Sequence, residues 1–132
     1  MELVIRNGTV VDSSRAYSAD IGVEHGKIKI IADKIEGGAD RVVDARGLYV
    51  LPGAIDAHTH LEMPFGGTVS ADGYHSGTRA AVCGGVTTVF DYAIQRKGKG
   101  IVETVRERQA LAESGACSDY AFHCAITNLG EH

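Results

Sequence analysis

Two histidines one residue apart, His58 and His60, are the residues whose type and spacing point most directly to chemistry. They fall late in a strand-like apolar run, Ala54-Ile55-Asp56-Ala57-His58-Thr59-His60-Leu61. Side chains at i and i+2 of a strand leave the same face, with Cα atoms about 7 Å apart, so the two imidazoles can converge on one cation. Zinc takes nitrogen donors at about 2.0–2.1 Å and wants four of them, so the pair is half of a site. The plainer alternative is a solvated or hydrogen-bonded histidine pair. Context favours the metal: a long loop rich in Gly, Thr and Ser follows, and α/β sheets bind ligands at the carboxyl ends of their strands.

Other groups that could act are fewer. Asp56 shares the histidines' face by the period of two and reads as a structural hydrogen-bond acceptor beside them. Asp91 ends the next strand-like run. His123, mid-strand between Phe122 and Cys124, reads as a hydrogen-bonded core histidine. His25 and His75 fall in turn and loop regions and read as solvated, and Arg79 as a surface or ion-pair residue. Cys83, Cys117 and Cys124 are odd in number and lack metal-finger spacing. They read as free thiols in a cytosolic protein, each a small buried apolar residue.

The elements that must position these groups change character near residue 52. Residues 1–52 read as all-β, part of a small sandwich: Leu3–Arg6 and Thr9–Val11 about an Asn7-Gly8 turn, Ile21–Glu24 and Lys27–Ile31 about His25-Gly26, then Arg41–Asp44 and Leu48–Val50. In the fourth of these runs, Lys27 and Lys29 alternate with Ile28 and Ile30, as in a strand with one wet face. Residues 53–132 alternate. The strand carrying the histidines reads as buried. A loop from Glu62 to about Asp72 follows, then a helix over 73–83 stopped by Gly84-Gly85. Val86–Tyr92 is a strand. Residues 101–113 form a helix with Ile101, Val102, Val105 and Ala112 toward one side, stopped by Gly115. Tyr120–Ile126 is a third strand. This β-α-β-α-β order implies a parallel sheet, α/β in class, either open or the opening of a longer barrel. The last five residues show no terminating element.

Composition excludes several classes. The chain is 132 residues long, 44% hydrophobic, with 13 Lys and Arg against 17 Asp and Glu and a net charge of −4. A mildly acidic chain without a basic run does not suit nucleic acid. No charged, then apolar, leader is visible at Met1-Glu2-Leu3-Val4-Ile5-Arg6, and no apolar run nears the ~20 residues that span a bilayer. A complete (β/α)8 barrel needs about 200 residues or more and does not fit this length.

The run Leu51-Pro52-Gly53-Ala54-Ile55-Asp56-Ala57-His58-Thr59-His60 resembles the P-G-x-I-D-x-H-x-H signature of the amidohydrolase superfamily. Leu61–Thr68, Gly77–Ala81, Gly84–Thr88 and Asp119–His123 resemble its dihydropyrimidinase and D-hydantoinase branch. The resemblance covers essentially this whole chain but only the first part of the family's usual length. It implies the opening β-α-β-α-β portion of a TIM (β/α)8 barrel, preceded by part of a β-sandwich built from both chain ends. It implies metal-dependent hydrolysis of cyclic amides: dihydropyrimidine or hydantoin rings opened to N-carbamoyl amino acids by a metal-activated hydroxide. Two divalent metal ions, zinc, would be bridged by a carboxylated lysine. His58 and His60 match the first-strand metal ligands. The bridging lysine, two further histidines and the proton-shuttle aspartate belong to later strands. Lys97 and Lys99 sit in a loop and cannot supply the bridge, so no residue of this chain is assigned as catalytic. The 132 residues alone are then expected to be inactive.

The same resemblance bears on substrate. Dihydroorotases and many allantoinases resemble His-x-His-x-Arg, and here Glu62 stands in place of that arginine and would repel an anionic ring. Met63 and Phe65 offer apolar contact to a ring substituent, the alternative being core packing under the loop. The expected partner is a small neutral cyclic amide, in a homo-oligomer that is a tetramer in the resembling family. The alternatives are an allantoinase or dihydroorotase, a non-catalytic scaffold of dihydropyrimidinase type, or an inactive truncated chain.

Overall fold

Residues 1–52 form strands only, and residues beyond 52 alternate strands with helices. The computed structural model describes residues 1–129, and the chain divides into the units Met1–Pro52 and Gly53–His132. Of the last five residues read from sequence, Gly130, Glu131 and His132 lie outside the described residues.

The first unit is one sheet of β1 (Leu3–Val11), β2 (Ala16–Glu24), β3 (Lys27–Ala32), β4 (Arg41–Asp44) and β5 (Tyr49–Val50). Its order is β3-β2-β1-β4, with β5 also on β1. β2 and β3 pair antiparallel across His25-Gly26, whose φ values of 52° and 67° both suit a tight hairpin turn. Val10, Ala19 and Ile21 form the buried cluster, with Ile5, Tyr17, Val23 and Val50 against it.

Two expectations fail in this unit. Asn7-Gly8 does not turn the chain: β1 runs through it. Asn7 has the positive φ (61°) such a turn needs, yet it uses it in a bulge, where pairing with β2 shifts between Ile5 and Gly8. Its backbone N–H donates to Asp20 Oδ1 at 2.9 Å and its side-chain amide to Asp44 Oδ1 at 2.8 Å, fixing it within the sheet. The true connection is Asp12–Arg15, where Asp12 Oδ1 accepts from the backbone of Ser14 and Arg15. On β3, Ile28 alternates with the lysines as expected but is 63% exposed, because β3 is an edge strand with neither face covered within this unit.

The second unit holds β6 (Ala54–Thr59), the two-residue strands β7 (Pro64–Phe65) and β8 (Thr68–Val69), α1 (Tyr74–Cys83), β9 (Val86–Ile94), α2 (Ile101–Glu113) and β10 (Asp119–Ala125). β6, β9 and β10 form a parallel sheet with β9 in the centre. β9 alternates cleanly. Val89, Asp91 and Ala93 are buried, while Phe90 and Tyr92 lie half-buried on the other face.

Five expectations are corrected here. β6 is not a buried strand: all but half-buried Thr59 are exposed, because β6 is the sheet's edge. The loop after it contains the β7–β8 hairpin, turned by Gly66-Gly67 at φ 59° and 83°. The buried stripe of α2 is Thr104, Arg108 and Ala112, while Ile101 and Val102 face outward, because the helix turns a polar stripe toward a buried acid on β9. Cys83 and Cys117 are exposed and Cys124 half-buried, so these thiols are free but not core residues. His75 lies in α1 rather than in a loop. No helix among the described residues is long and apolar enough to cross a membrane.

Candidate functional site

β6 carries the histidine pair to its carboxyl end, and a bulge aims it. Asp56 pairs with Val89 and Thr59 with Asp91, so three steps on β6 match two on β9. Within the bulge, Asp56 Oδ1 accepts from the His58 backbone N–H at 3.1 Å, the structural role its position suggests. His58 and His60 then bring their Nε2 atoms to 3.1 Å, rings edge to face with centroids 4.9 Å apart. Both are exposed.

That separation suits a shared cation. With donor bonds of about 2.0–2.1 Å, a 3.1 Å separation subtends an angle of about 95–100° at the ion, between octahedral and tetrahedral values. The donor chemistry agrees, since neutral imidazole is an ordinary zinc ligand. Tyr92, on the β9 face beside the rings, has its hydroxyl 3.5 Å from His58 Nδ1 and its ring centroid 4.6 Å from that of His58. A metal-binding histidine commonly has a polar partner at its second nitrogen, and the Tyr92 hydroxyl occupies that place here while Nε2 faces His60. Among the described residues, no group of three or more His, Cys, Asp or Glu could hold a metal, so the pair remains two ligands.

The chain leaving His60 is held residue by residue. Ser70 Oγ donates to the His60 carbonyl at 3.0 Å and accepts from the Met63 N–H at 2.9 Å. Leu61 N–H donates to Asp91 Oδ1 at 3.1 Å. Arg108 donates to the Leu61 carbonyl and, at 3.1 Å, to the Glu62 carbonyl. Asp91 is fully buried and accepts also from Arg108 Nε (3.0 Å), Arg108 Nη2 (2.8 Å) and the Tyr74 hydroxyl (2.5 Å). Burial, together with the neighbouring Asp91 carboxylate, pushes the Tyr74 phenol far above its ordinary range, so it stays a donor.

The β7–β8 hairpin folds beside His60 and borders an open cavity of about 390 Å³ lined by His60, Met63, Phe65, Thr68, Val69 and Ser70. Phe65 is 79% exposed, so it is no core residue under the loop. Glu62 lines a different cavity, toward α2, and its carboxylate lies by the start of α1, with Oε2 3.4 Å from where a Cβ on Gly73 would stand. His123 is exposed, not core; its Nε2 meets the Ala57 carbonyl at 3.1 Å, and its ring lies 5.0 Å from that of Tyr92. Lys99 lies on α2's acidic residues, pairing with Glu107 and Glu103. Sequence reasoning missed Tyr92, Ser70 and Arg108. Tyr92 alone had a signal, being one residue past Asp91 and hence on the histidines' side of the sheet.

Residues 49–128 match the amidohydrolase family. The chain is 42% identical over 129 residues to a D-hydantoinase of Geobacillus stearothermophilus, covering 98% of this chain and 27% of that protein. It is 43% identical over 126 residues to a dihydropyrimidinase of Dictyostelium discoideum, covering 95% and 25%. The crystal structure of dihydropyrimidinase from Brevibacillus agri superposes with a TM-score of 0.95 at 40% identity, over all of this chain and 29% of that one. The chain thus spans about a quarter of the length of the relatives it matches. It belongs to the amidohydrolase family, corresponding to the N-terminal part of D-hydantoinases and dihydropyrimidinases.

Proposed function

We propose that this chain supplies the first metal-binding strand of a metal-dependent cyclic amidohydrolase that opens dihydropyrimidine or hydantoin rings to N-carbamoyl amino acids. The observation that carries the reading is the 3.1 Å approach of His58 and His60 Nε2 at the carboxyl end of β6. A bound divalent cation, zinc in this reading, lowers the pKa of water from about 15.7 toward 7 and polarises a carbonyl. His58 and His60 hold it from one face, and Tyr92 and Asp56 set their orientation. Two such ions bridged by a carboxylated lysine, with further histidines and a proton-shuttle aspartate, need donors beyond this set. The described residues by themselves would therefore carry no hydrolysis.

Met63 and Phe65 form the apolar side of the cavity next to His60 and would receive a ring substituent. Preference for a neutral ring is supported by this apolar lining and by the hydantoinase and dihydropyrimidinase relatives; the Glu62 carboxylate, near Gly73, would add its charge against an anionic ring. The exposed edge of β6 suits continuation of the sheet into a (β/α)8 barrel, and residues 1–52 suit part of a β-sandwich domain. A cytosolic homotetramer completes the reading.

The test is kcat/KM of the metal-loaded full-length protein on dihydrouracil, a 5-substituted hydantoin and dihydroorotate. The expected result is turnover of the first two well ahead of dihydroorotate, reduced at least 100-fold in His58→Ala. Preference for dihydroorotate would overturn the substrate assignment. Unchanged turnover in His58→Ala would overturn the metal assignment.

A further inference from the structure

The buried pair Asp91–Arg108 lies on the helix-covered face of β9, opposite the histidines, and touches neither of them. Its hydrogen bonds nonetheless converge on the residue that follows His60. Asp91 takes the Leu61 N–H with Oδ1 and the Arg108 guanidinium with Oδ2. Arg108 spends its remaining reach on the carbonyls of Leu61 and Glu62. The two peptide groups flanking the Leu61 Cα are thus held together, the N–H of one by the Asp91 carboxylate and the carbonyl of the other by the Arg108 guanidinium, both side chains nearly fully buried. The Leu61 side chain is seated too, at Gly77 of α1, where a Cβ would collide with it. Glu62 next to it has φ 48°, a left-handed conformation that a non-glycine residue keeps only when its surroundings impose it.

A buried ion pair adds little stability over apolar residues of similar volume, so holding α2 on the sheet does not require one. What the pair does here is fix a polar backbone segment: the acid accepts one N–H and the guanidinium fork reaches two carbonyls, bonds that charge strengthens.

We propose that Asp91 and Arg108 are positioning residues for the metal ligand His60: they lock the Leu61–Glu62 backbone from the far side of the sheet, so that His60 Nε2 is held at the bite distance from His58. The proposal rests on the metal reading of the histidine pair. Removing the lock frees the His60 backbone to sample orientations that miss the cation, which weakens binding without removing a ligand. Outer residues of this kind change metal affinity by about 10- to 100-fold.

The experiment measures zinc stoichiometry and dissociation constant of the full-length protein by competition with a chromophoric chelator, with the melting temperature of each metal-free form. Wild type is compared first with His60→Ala. If wild type holds no zinc that His60→Ala loses, the metal reading falls, and this proposal falls with it. With that zinc present, two variants decide the lock. Arg108→Lys keeps the charge opposite Asp91 but loses the fork that reaches both carbonyls. The triple variant Tyr74→Phe, Asp91→Leu, Arg108→Met replaces the buried polar set by apolar side chains and guards against simple unfolding. Thr78→Val is the control; it removes a buried acceptor of the Cys117 N–H (2.9 Å) and none of the Leu61–Glu62 bonds. The proposal expects both Arg108 variants to bind zinc 10- to 100-fold more weakly, the triple variant with an undiminished melting temperature. It expects Thr78→Val to melt lower yet bind within threefold of wild type. Binding within threefold of wild type in either folded Arg108 variant overturns the proposal, as does an equal loss in Thr78→Val.

Discussion

Gly77→Ala should destabilise a helix that alanine ordinarily strengthens. In a helix interior the exchange is worth about 0.5–1 kcal/mol in favour of alanine. Here the added Cβ would stand well inside contact distance of Leu61 Cδ2 and 3.4 Å from Asp72 Cβ. Leu61 cannot retreat along its backbone, because Asp91 and Arg108 hold its N–H and carbonyl. It can only leave its rotamer or push α1 away, and overpacking of that kind costs about 1–3 kcal/mol. The net expectation is a loss of up to about 2 kcal/mol in the wild-type background. In a Leu61→Ala background the obstacle is gone, and the same change should stabilise by about 0.5–1 kcal/mol. The coupling between the two positions is then about 1–3 kcal/mol. Native-state hydrogen exchange of α1 amides, measured on the full-length protein for all four members of the cycle, gives the local opening free energy without requiring a single global transition. Equal stabilisation by Gly77→Ala in both backgrounds, with coupling below about 0.5 kcal/mol, would refute the argument that Leu61 is seated against α1.

Asp91→Ala strands the Arg108 charge and two further polar groups, the Leu61 N–H and the Tyr74 hydroxyl, and should cost about 3–5 kcal/mol, read by exchange of α2 and β9 amides; a cost under about 1 kcal/mol would contradict it. Asp20 sits below the ordinary carboxylate range because the Ile35 and Asn7 backbone N–H groups donate to it. A depressed folded-state pKa gives stability that is present above the ordinary value of 3.8 and is lost as pH falls through the lowered one. Asp20→Asn should therefore be less stable than wild type at neutral pH, with the gap closing below pH 3.8 in exchange of β1 and β2 amides; a constant gap would oppose the assignment. Cys83 and Cys117, being exposed, should be alkylated by iodoacetamide in the folded protein faster than half-buried Cys124, as peptide mapping would show.

What could be read from the sequence is what local chemistry dictates. The strand-helix alternation after residue 53, the ends of α2 and the histidine pair are all written in short segments. So is the His25-Gly26 hairpin, where both residues must reach positive φ and nothing distant competes. Asn7-Gly8 carries the same local signal, but Asp20 and Asp44, distant in sequence, take its amides and turn a hairpin into a bulge. Exposure was misjudged wherever it depends on neighbours. β6 has the composition of a covered strand yet forms an edge, and Cys83 and Cys117 have the chemistry of core residues yet face outward. Arg108 was invisible for the same reason. An arginine in a helix looks solvated until its strand partner and the backbone it grips, 46 and 47 residues away, are placed beside it. Tyr92 was reachable, since a period of two puts it opposite Asp91 and beside the histidines.

The central claim is that His58 and His60 grip one cation between their Nε2 atoms. The most direct measurement is anomalous diffraction at the zinc edge from crystals of the full-length protein grown with zinc. The account predicts a peak about 2.0–2.1 Å from both Nε2 atoms at once, lost in His60→Ala crystals. Zinc bound to only one of the two histidines, or a peak on neither with the rings still in mutual contact, would contradict it.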